Sequence, residues 1–202
     1  PDFRQQMLRE GTRRMDAVIY THEHKDHIAG MDDVRAFNFI QKKSMDLYGN
    51  ANVLSALKRE YPYVFAAEKY PGIPQVDLHE IKPMQAFSLG GLEWIALPAL
   101  HYKLPVLGFK IGGFAYITDA NFLPPETMKS LENLDVLVLN ALRREDHVSH
   151  FTLDQALELV KGLKPKQAYF THISHQLGLH EEVSQELPPG VALAYDGLQI
   201  TF

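Results

Sequence analysis

His22, His24, Asp26 and His27 fall within the six-residue run His22-Glu23-His24-Lys25-Asp26-His27. Protonated, three imidazoles so close together repel one another; neutral, they and the carboxylate supply the nitrogen and oxygen donors that Zn²⁺, Mn²⁺ and Fe accept. A solvated polar loop has no need of that spacing, so the cluster reads as a metal site. Further along, His101, Asp119 and His172 each follow an apolar run: Leu92-Glu93-Trp94-Ile95-Ala96-Leu97, Phe114-Ala115-Tyr116-Ile117-Thr118 and Lys166-Gln167-Ala168-Tyr169-Phe170-Thr171. One histidine at a strand end is an ordinary core residue. The repetition argues for strand ends that converge on one edge of a sheet and gather their side chains in one place.

The elements that must hold these residues alternate along the chain. Met15 to Thr21 is an apolar, β-branched run that predicts a buried strand, and the pattern from Ile28 to Phe39 predicts a helix, so the histidine cluster sits at a strand-to-helix junction, a usual ligand site in α/β proteins. Asp2 predicts the N-cap of a short helix over Phe3 to Glu10, stopped by Gly11. Val53 to Arg59 predicts a helix. Tyr61 to Gln75, rich in proline and aromatics, reads as a loop or lid. Strands are expected at Val76 to Ile81, Gln85 to Leu89, Leu92 to Leu97, Phe114 to Thr118, Leu134 to Leu139 and Lys166 to Thr171. Thr152 with Gln155 forms a capping-box signature for a helix over Leu153 to Leu163, whose Leu153, Ala156, Leu157 and Val160 make a core-facing stripe. Asp196-Gly197 between Val191–Tyr195 and Leu198–Phe202 is a hairpin signature.

The 202 residues suit one domain, 1–202, with a substantial core. With 46% hydrophobic and 22% charged residues the composition is that of an ordinary globular protein, and no apolar run approaches the ~20 residues of a membrane span. A formal charge of −5 argues against a large nucleic-acid surface. The chain has no cysteine, which removes disulfides and thiolate ligands and leaves the cytoplasm as the default location. It begins at Pro1 rather than at a methionine, so an upstream piece is expected to be missing.

The run His22 to His27, with His101, Asp119 and His172 downstream in that order, resembles the metallo-β-lactamase superfamily over nearly the whole chain. The segments His27-Ile28-Ala29-Gly30-Met31-Asp32-Asp33-Val34-Arg35 and Thr171-His172-Ile173-Ser174-His175-Gln176, followed by Tyr195-Asp196-Gly197, are similar to the branch near ribonuclease Z. Within it the likeness is greatest to cyclic phosphodiesterases of the phosphonate-degradation type, which open phosphoribosyl 1,2-cyclic phosphate. The resemblance implies an α/β fold, an αββα sandwich, here without its N-terminal strands. It implies two divalent metal ions, Zn or Mn with Fe as a further option: His22, His24 and His101 on one, Asp26, His27 and His172 on the other, and Asp119 bridging. Two such ions ~3.5–4 Å apart share a water, lower its pKa toward neutrality and offset the charge of a phosphodiester.

The catalytic candidates are Asp26, His150 and His175. The family places a histidine like His150 at the start of the helix after the fourth strand, where it could protonate the leaving alkoxide. His175 is a candidate for binding phosphate or assisting that protonation. His79, His147 and His180 lack a partner pattern and read as surface residues, and Arg35 reads as a surface salt bridge. The implied partner is a small phosphodiester substrate, with nucleic acid and membrane disfavoured and a homodimer compatible with the resemblance. Three other readings stand beside it. These are a ribonuclease Z-like tRNA 3′ processing endonuclease, a thioester hydrolase of the glyoxalase II kind, and a metal-binding module without turnover. A flavodiiron oxidoreductase is disfavoured because it places a glutamate where this chain has His24.

Overall fold

The computed structural model describes residues 2–202; Pro1 lies outside them. They separate into two compact units, the first running to Lys82 with Leu89–Gly91, the second comprising Pro83–Ser88 and Leu92–Phe202. Among the described residues no helix is long and apolar enough to cross a membrane.

In the first unit, α1 (Phe3–Arg9) begins after Asp2, whose side chain makes no capping bond. Strand β1 (Ala17–Ile19) leads into α2 (Lys25–Ile28) and a 3₁₀ turn (Met31–Val34), then α3 (Arg35–Gln41) and β2 (Met45–Gly49). Helices α4 (Ala51–Glu60) and α5 (Pro62–Phe65) precede β3 (Val76–Glu80). The three strands pair in parallel in chain order. Asn50 caps α4 by accepting the Val53 N–H at 2.9 Å. Ile28, Phe37, Met45, Leu47, Val53 and Leu57 are buried together and form this unit's core.

The helix predicted from Ile28 to Phe39 is broken. Ala29 is extended and Gly30 is left-handed at φ 84°, and a β-carbon on Gly30 would come within 2.7 Å of Phe3 Cβ. The apolar period continued across the break because the 3₁₀ turn buries Met31 and Val34 against the same core. Periodicity registers which face is buried and is blind to a close approach by another helix.

The second unit holds β4 (Ala86–Leu89), β5 (Leu92–His101), β6 (Leu104–Ile111), β7 (Phe114–Ile117), α6 (Pro125–Ser130), β8 (Val136–Asn140), α7 (Leu153–Leu163), β9 (Gln167–Thr171), α8 (His180–Glu186) and β10 (Val191–Leu193). Its seven-stranded sheet has the order β10-β9-β8-β7-β6-β5-β4. β7 to β10 are mutually parallel, while β6 runs against both β5 and β7. Strand β5 therefore points the same way as β7, β8 and β9, and the C-terminal ends of all four lie on one edge. β8 is buried along its whole length, as a central strand covered on both faces should be. α7 has the predicted bounds and both bonds of the capping box.

Strand β5 runs four residues past the expected Leu97, to His101, and pairs with a strand, β6, that the sequence does not announce. Pro98, Pro105 and Gly108 weaken the strand pattern there. Gly108 is required by packing, because a β-carbon would sit 2.7 Å from Ile117 Cγ1 and 2.9 Å from the Tyr116 carbonyl oxygen. The predicted C-terminal hairpin is not formed. β10 pairs in parallel with β9 as the sheet's edge strand, with Leu193 buried, and among the described residues no strand follows it. Asp196-Gly197 still turns the chain, with the Leu198 N–H donating to the Tyr195 carbonyl at 3.1 Å.

Candidate metal centre

In the first unit the side chains sit where β1 gives way to α2. His22 is fully buried, and its Nε2 lies 3.1 Å from His24 Nδ1. Its Nδ1 lies 3.0 Å from the Thr21 hydroxyl, and its ring centroid is 4.1 Å from that of His27. The His27 N–H donates to the His24 carbonyl at 2.9 Å, so the first turn of α2 holds the second pair of residues close to the first. Asp26 lies outside this packing: its side chain is 75% exposed, with His27 Nε2 3.5 Å from its Oδ2. Glu23, between His22 and His24, buries its Oε2 without a hydrogen bond.

In the second unit the predicted convergence takes place. His101 closes β5, Asp119 stands two residues past β7, and His172 follows β9 directly, all on the shared C-terminal edge. His101 Nδ1 donates to the Ser149 carbonyl at 2.9 Å, which puts the ring's lone pair on Nε2, the form a metal requires. Asp119 is buried. Its Oδ1 accepts the Thr118 hydroxyl at 2.6 Å and lies 3.2 Å from His172 Nε2, while its Oδ2 is 3.6 Å from His150 Nε2. His150 is buried, with ring centroids of His101 and His172 at 4.6 and 4.7 Å. One ligand atom from each of His101, Asp119 and His150 falls within a 4.8 Å span. His175 is exposed on the segment after β9.

Asp119 and His172 both adopt left-handed backbone, each at φ 55°. For a residue with a β-carbon that conformation costs on the order of 1 kcal/mol or more and concentrates at functional sites. At Asp119 the cost is held by Asn140, the fully buried last residue of β8. Its Oδ1 accepts the Ala120 N–H at 2.8 Å and its Nδ2 donates to the Ala120 carbonyl at 2.9 Å. Nothing in the sequence singles out Asn140, because an apolar strand ending in Asn offers no signal of its own.

His147, expected on the surface, is half-buried with its Nδ1 3.0 Å from His150 Nδ1. Burial, and after it charge repulsion with His150, Arg143, His101 and His172, holds its imidazole below the ordinary histidine range. The separation His147-x-x-His150 was its only trace in the sequence. His79, also expected without a partner, bonds Asp46 at 2.7 Å and stacks on Tyr48, remote in sequence from every candidate ligand. Arg35 lies over the Phe39 ring at 5.4 Å, a cation–π contact rather than the salt bridge expected. The donors in both units are nitrogen and oxygen, with the tautomer of His101 already set for coordination, so the residues present fit Zn²⁺, Mn²⁺ or Fe²⁺.

The domain family described as the beta-lactamase superfamily domain matches residues 1–173. The chain belongs to that superfamily. Its fold is the α/β metallo-β-lactamase fold. A crystal structure of a diphosphatase from the PhnP family is 41% identical, covers 100% of this chain and 77% of its own, and superposes with a TM-score of 0.91. Zinc-bound PqqB from Methylobacterium extorquens, 18% identical, matches 100% of this chain and 81% of its own at a TM-score of 0.79, a likeness of fold. A curated protein of Porphyromonas gingivalis named octanoyltransferase is 38% identical over 200 residues. The chain spans 98% of its own length in that match but 40% of the relative's.

Proposed function

We propose that this chain is a metal-dependent hydrolase that opens a small cyclic phosphodiester. The observation that carries the reading is the arrangement around Asp119, with His172 and His150 on its two carboxylate oxygens at the strand ends where His101 also finishes. The 41% identity to a PhnP-family diphosphatase supports phosphate as the group acted upon. In this reading His22, His24 and His101 would hold one divalent ion, Asp26, His27 and His172 would hold a second, and Asp119 would serve both. When bound, such a pair supplies Lewis acidity, a water acidified toward neutrality and positive charge to offset the phosphate. The protein's own part is to keep that chemistry dry and directed. The Ser149 carbonyl aligns His101, Thr118 holds one oxygen of Asp119, and Asn140 fixes the turn on which Asp119 stands. His150 delivers a proton from Nε2 to the leaving alkoxide, the step a phosphodiester needs once the P–O bond to that oxygen breaks. His175, exposed beyond β9, is assigned to the phosphate.

A second reading, hydrolysis of an acyl thioester, draws on the name of the Porphyromonas gingivalis relative, since transfer of an octanoyl group proceeds by attack at an acyl carbon. That name describes a protein of which this chain matches 40%. One experiment separates the two: metal content per chain by elemental analysis, paired with turnover of a cyclic phosphodiester, a nucleoside diphosphate and an octanoyl thioester. Two metals with diester turnover are expected. Diphosphate turnover alone keeps the phosphate and changes the bond cut. Thioester turnover alone selects the second reading, and no metal after reloading with zinc or manganese overturns both.

A further inference from the structure

His147 sits three residues before His150 in the loop between β8 and α7, and its Nδ1 is the meeting point of three contacts. The Ser149 backbone N–H lies at 3.4 Å, the Ser149 hydroxyl at 3.3 Å and His150 Nδ1 at 3.0 Å. A backbone N–H can only donate, so His147 Nδ1 is an acceptor and carries no proton. Two bare ring nitrogens 3.0 Å apart would repel, so the proton between the rings belongs to His150 Nδ1. The Ser149 hydroxyl, 3.0 Å from His150 Nδ1, is consistent with this: it can accept from His150 while donating to His147. Neutral His150 is thereby left with its lone pair on Nε2. That atom is buried, has no hydrogen-bond partner, and has Asp119 Oδ2 as a neighbour at 3.6 Å.

We propose that His147 is a positioning residue: by accepting the Nδ1–H of His150, it locks the tautomer that leaves the lone pair on the buried Nε2 near Asp119. The inference rests on the proton-carrying role given to His150 above. An imidazole with no such partner prefers its proton on Nε2, which would leave His150 unable to receive one there. A carboxylate in the place of His147 would fix the same tautomer and also pull a second proton onto the ring. A neutral imidazole fixes the direction alone, and His147 meets this because its Nδ1 accepts from the Ser149 N–H and from His150.

The test reads the tautomer directly, by long-range ¹H–¹⁵N correlation of the histidines in metal-free protein, and separately follows hydrolysis of a cyclic phosphodiester whose leaving group is an alkoxide, adenosine 2′,3′-cyclic phosphate, by zinc- or manganese-loaded protein. Wild type should show His150 protonated at Nδ1, and His147→Leu should move that proton to Nε2. His147→Asn, whose Oδ1 can accept where Nδ1 did, should restore the wild-type tautomer. On the diester, His147→Leu should lower kcat roughly 10–100-fold with little change in KM, and His147→Asn should recover most of it. Should His147→Leu not fold, His147→Ala takes its place. An unchanged His150 tautomer in the apolar variant, or equal losses in the apolar and Asn variants, overturns the proposal. His150→Ala separates the two levels. If it hydrolyses at the wild-type rate, the proton-carrying reading falls; if it is impaired while His147→Leu changes neither tautomer nor rate, only the role of His147 falls.

Discussion

Asp119 Oδ1 and His172 Nε2 meet at 3.2 Å although one residue follows β7 and the other β9, strands separated in the sheet by β8. Both residues pay for the contact in backbone energy, since each stands in the left-handed region at φ 55°. Two such turns, at strand ends on either side of β8, bring the two side chains together.

The bridging role given to Asp119 predicts that Asp119→Ala lowers the metal bound per chain from two toward one. Elemental analysis of protein purified without chelator measures this. Two ions retained per chain would contradict the bridge and leave Asp119 as an orienting carboxylate for His172 and His150.

His150→Ala should cut kcat on a phosphodiester by on the order of 10²–10⁴-fold, the usual worth of a positioned general acid. Its metal content should stay at the wild-type value, measured on the same sample. A fall in metal content would move His150 into the ligand set, which its place within 4.8 Å of His101 and Asp119 would accommodate.

Asn140→Ala removes both side-chain bonds to Ala120 and leaves that buried amide and carbonyl without the partners they now have. A loss of about 2–3 kcal/mol in urea unfolding is expected, each orphaned buried group costing on the order of 1 kcal/mol or more. A loss below ~0.5 kcal/mol, no more than a surface substitution costs, would show that the turn at Asp119 is held by something else.

The donor types, their order and the shared edge were legible in the sequence because metal ligation imposes residue identity, and parallel strands deliver their ends to one side. On those grounds His101, Asp119 and His172 are expected together, and they stand on the one edge of the second unit's sheet. The helix from Leu153 to Leu163 was legible for a local reason: Thr152 and Gln155 cap it through bonds spanning three residues. What escaped was set by tertiary contact. The break at Gly30 answers to Phe3, and Gly108 answers to Ile117 and Tyr116 across the sheet. The partner of β10 is β9, and a hairpin signature built on Asp196-Gly197 carries no information about that competing edge. His147 escapes for the same reason: its contact with His150 is an atom pair, and its sequence neighbours give no sign of where its ring points.

Tyr61 makes the stability of the first unit's core depend on alkaline pH. Tyr61 is buried in it, and its hydroxyl donates to the Ile28 carbonyl at 3.0 Å. Burial pushes the Tyr61 phenol above its ordinary value, with Lys25 opposing and Asp32 adding to the shift. The folded state therefore holds this proton more tightly than the unfolded chain, in which a tyrosine titrates near ~10. The stabilisation is complete below that pH and is lost as pH rises from it toward the folded value, because the unfolded state ionises first. Tyr61→Phe should cost about 1 kcal/mol at pH 7, from the lost bond to the Ile28 carbonyl, yet fall less steeply between pH 9 and 11 than wild type. Urea unfolding at a series of alkaline pH values gives both slopes. Parallel slopes would mean that Tyr61 ionises alike in the two states, and that the helix turn around Ile28 opens to water before the rest of the unit unfolds.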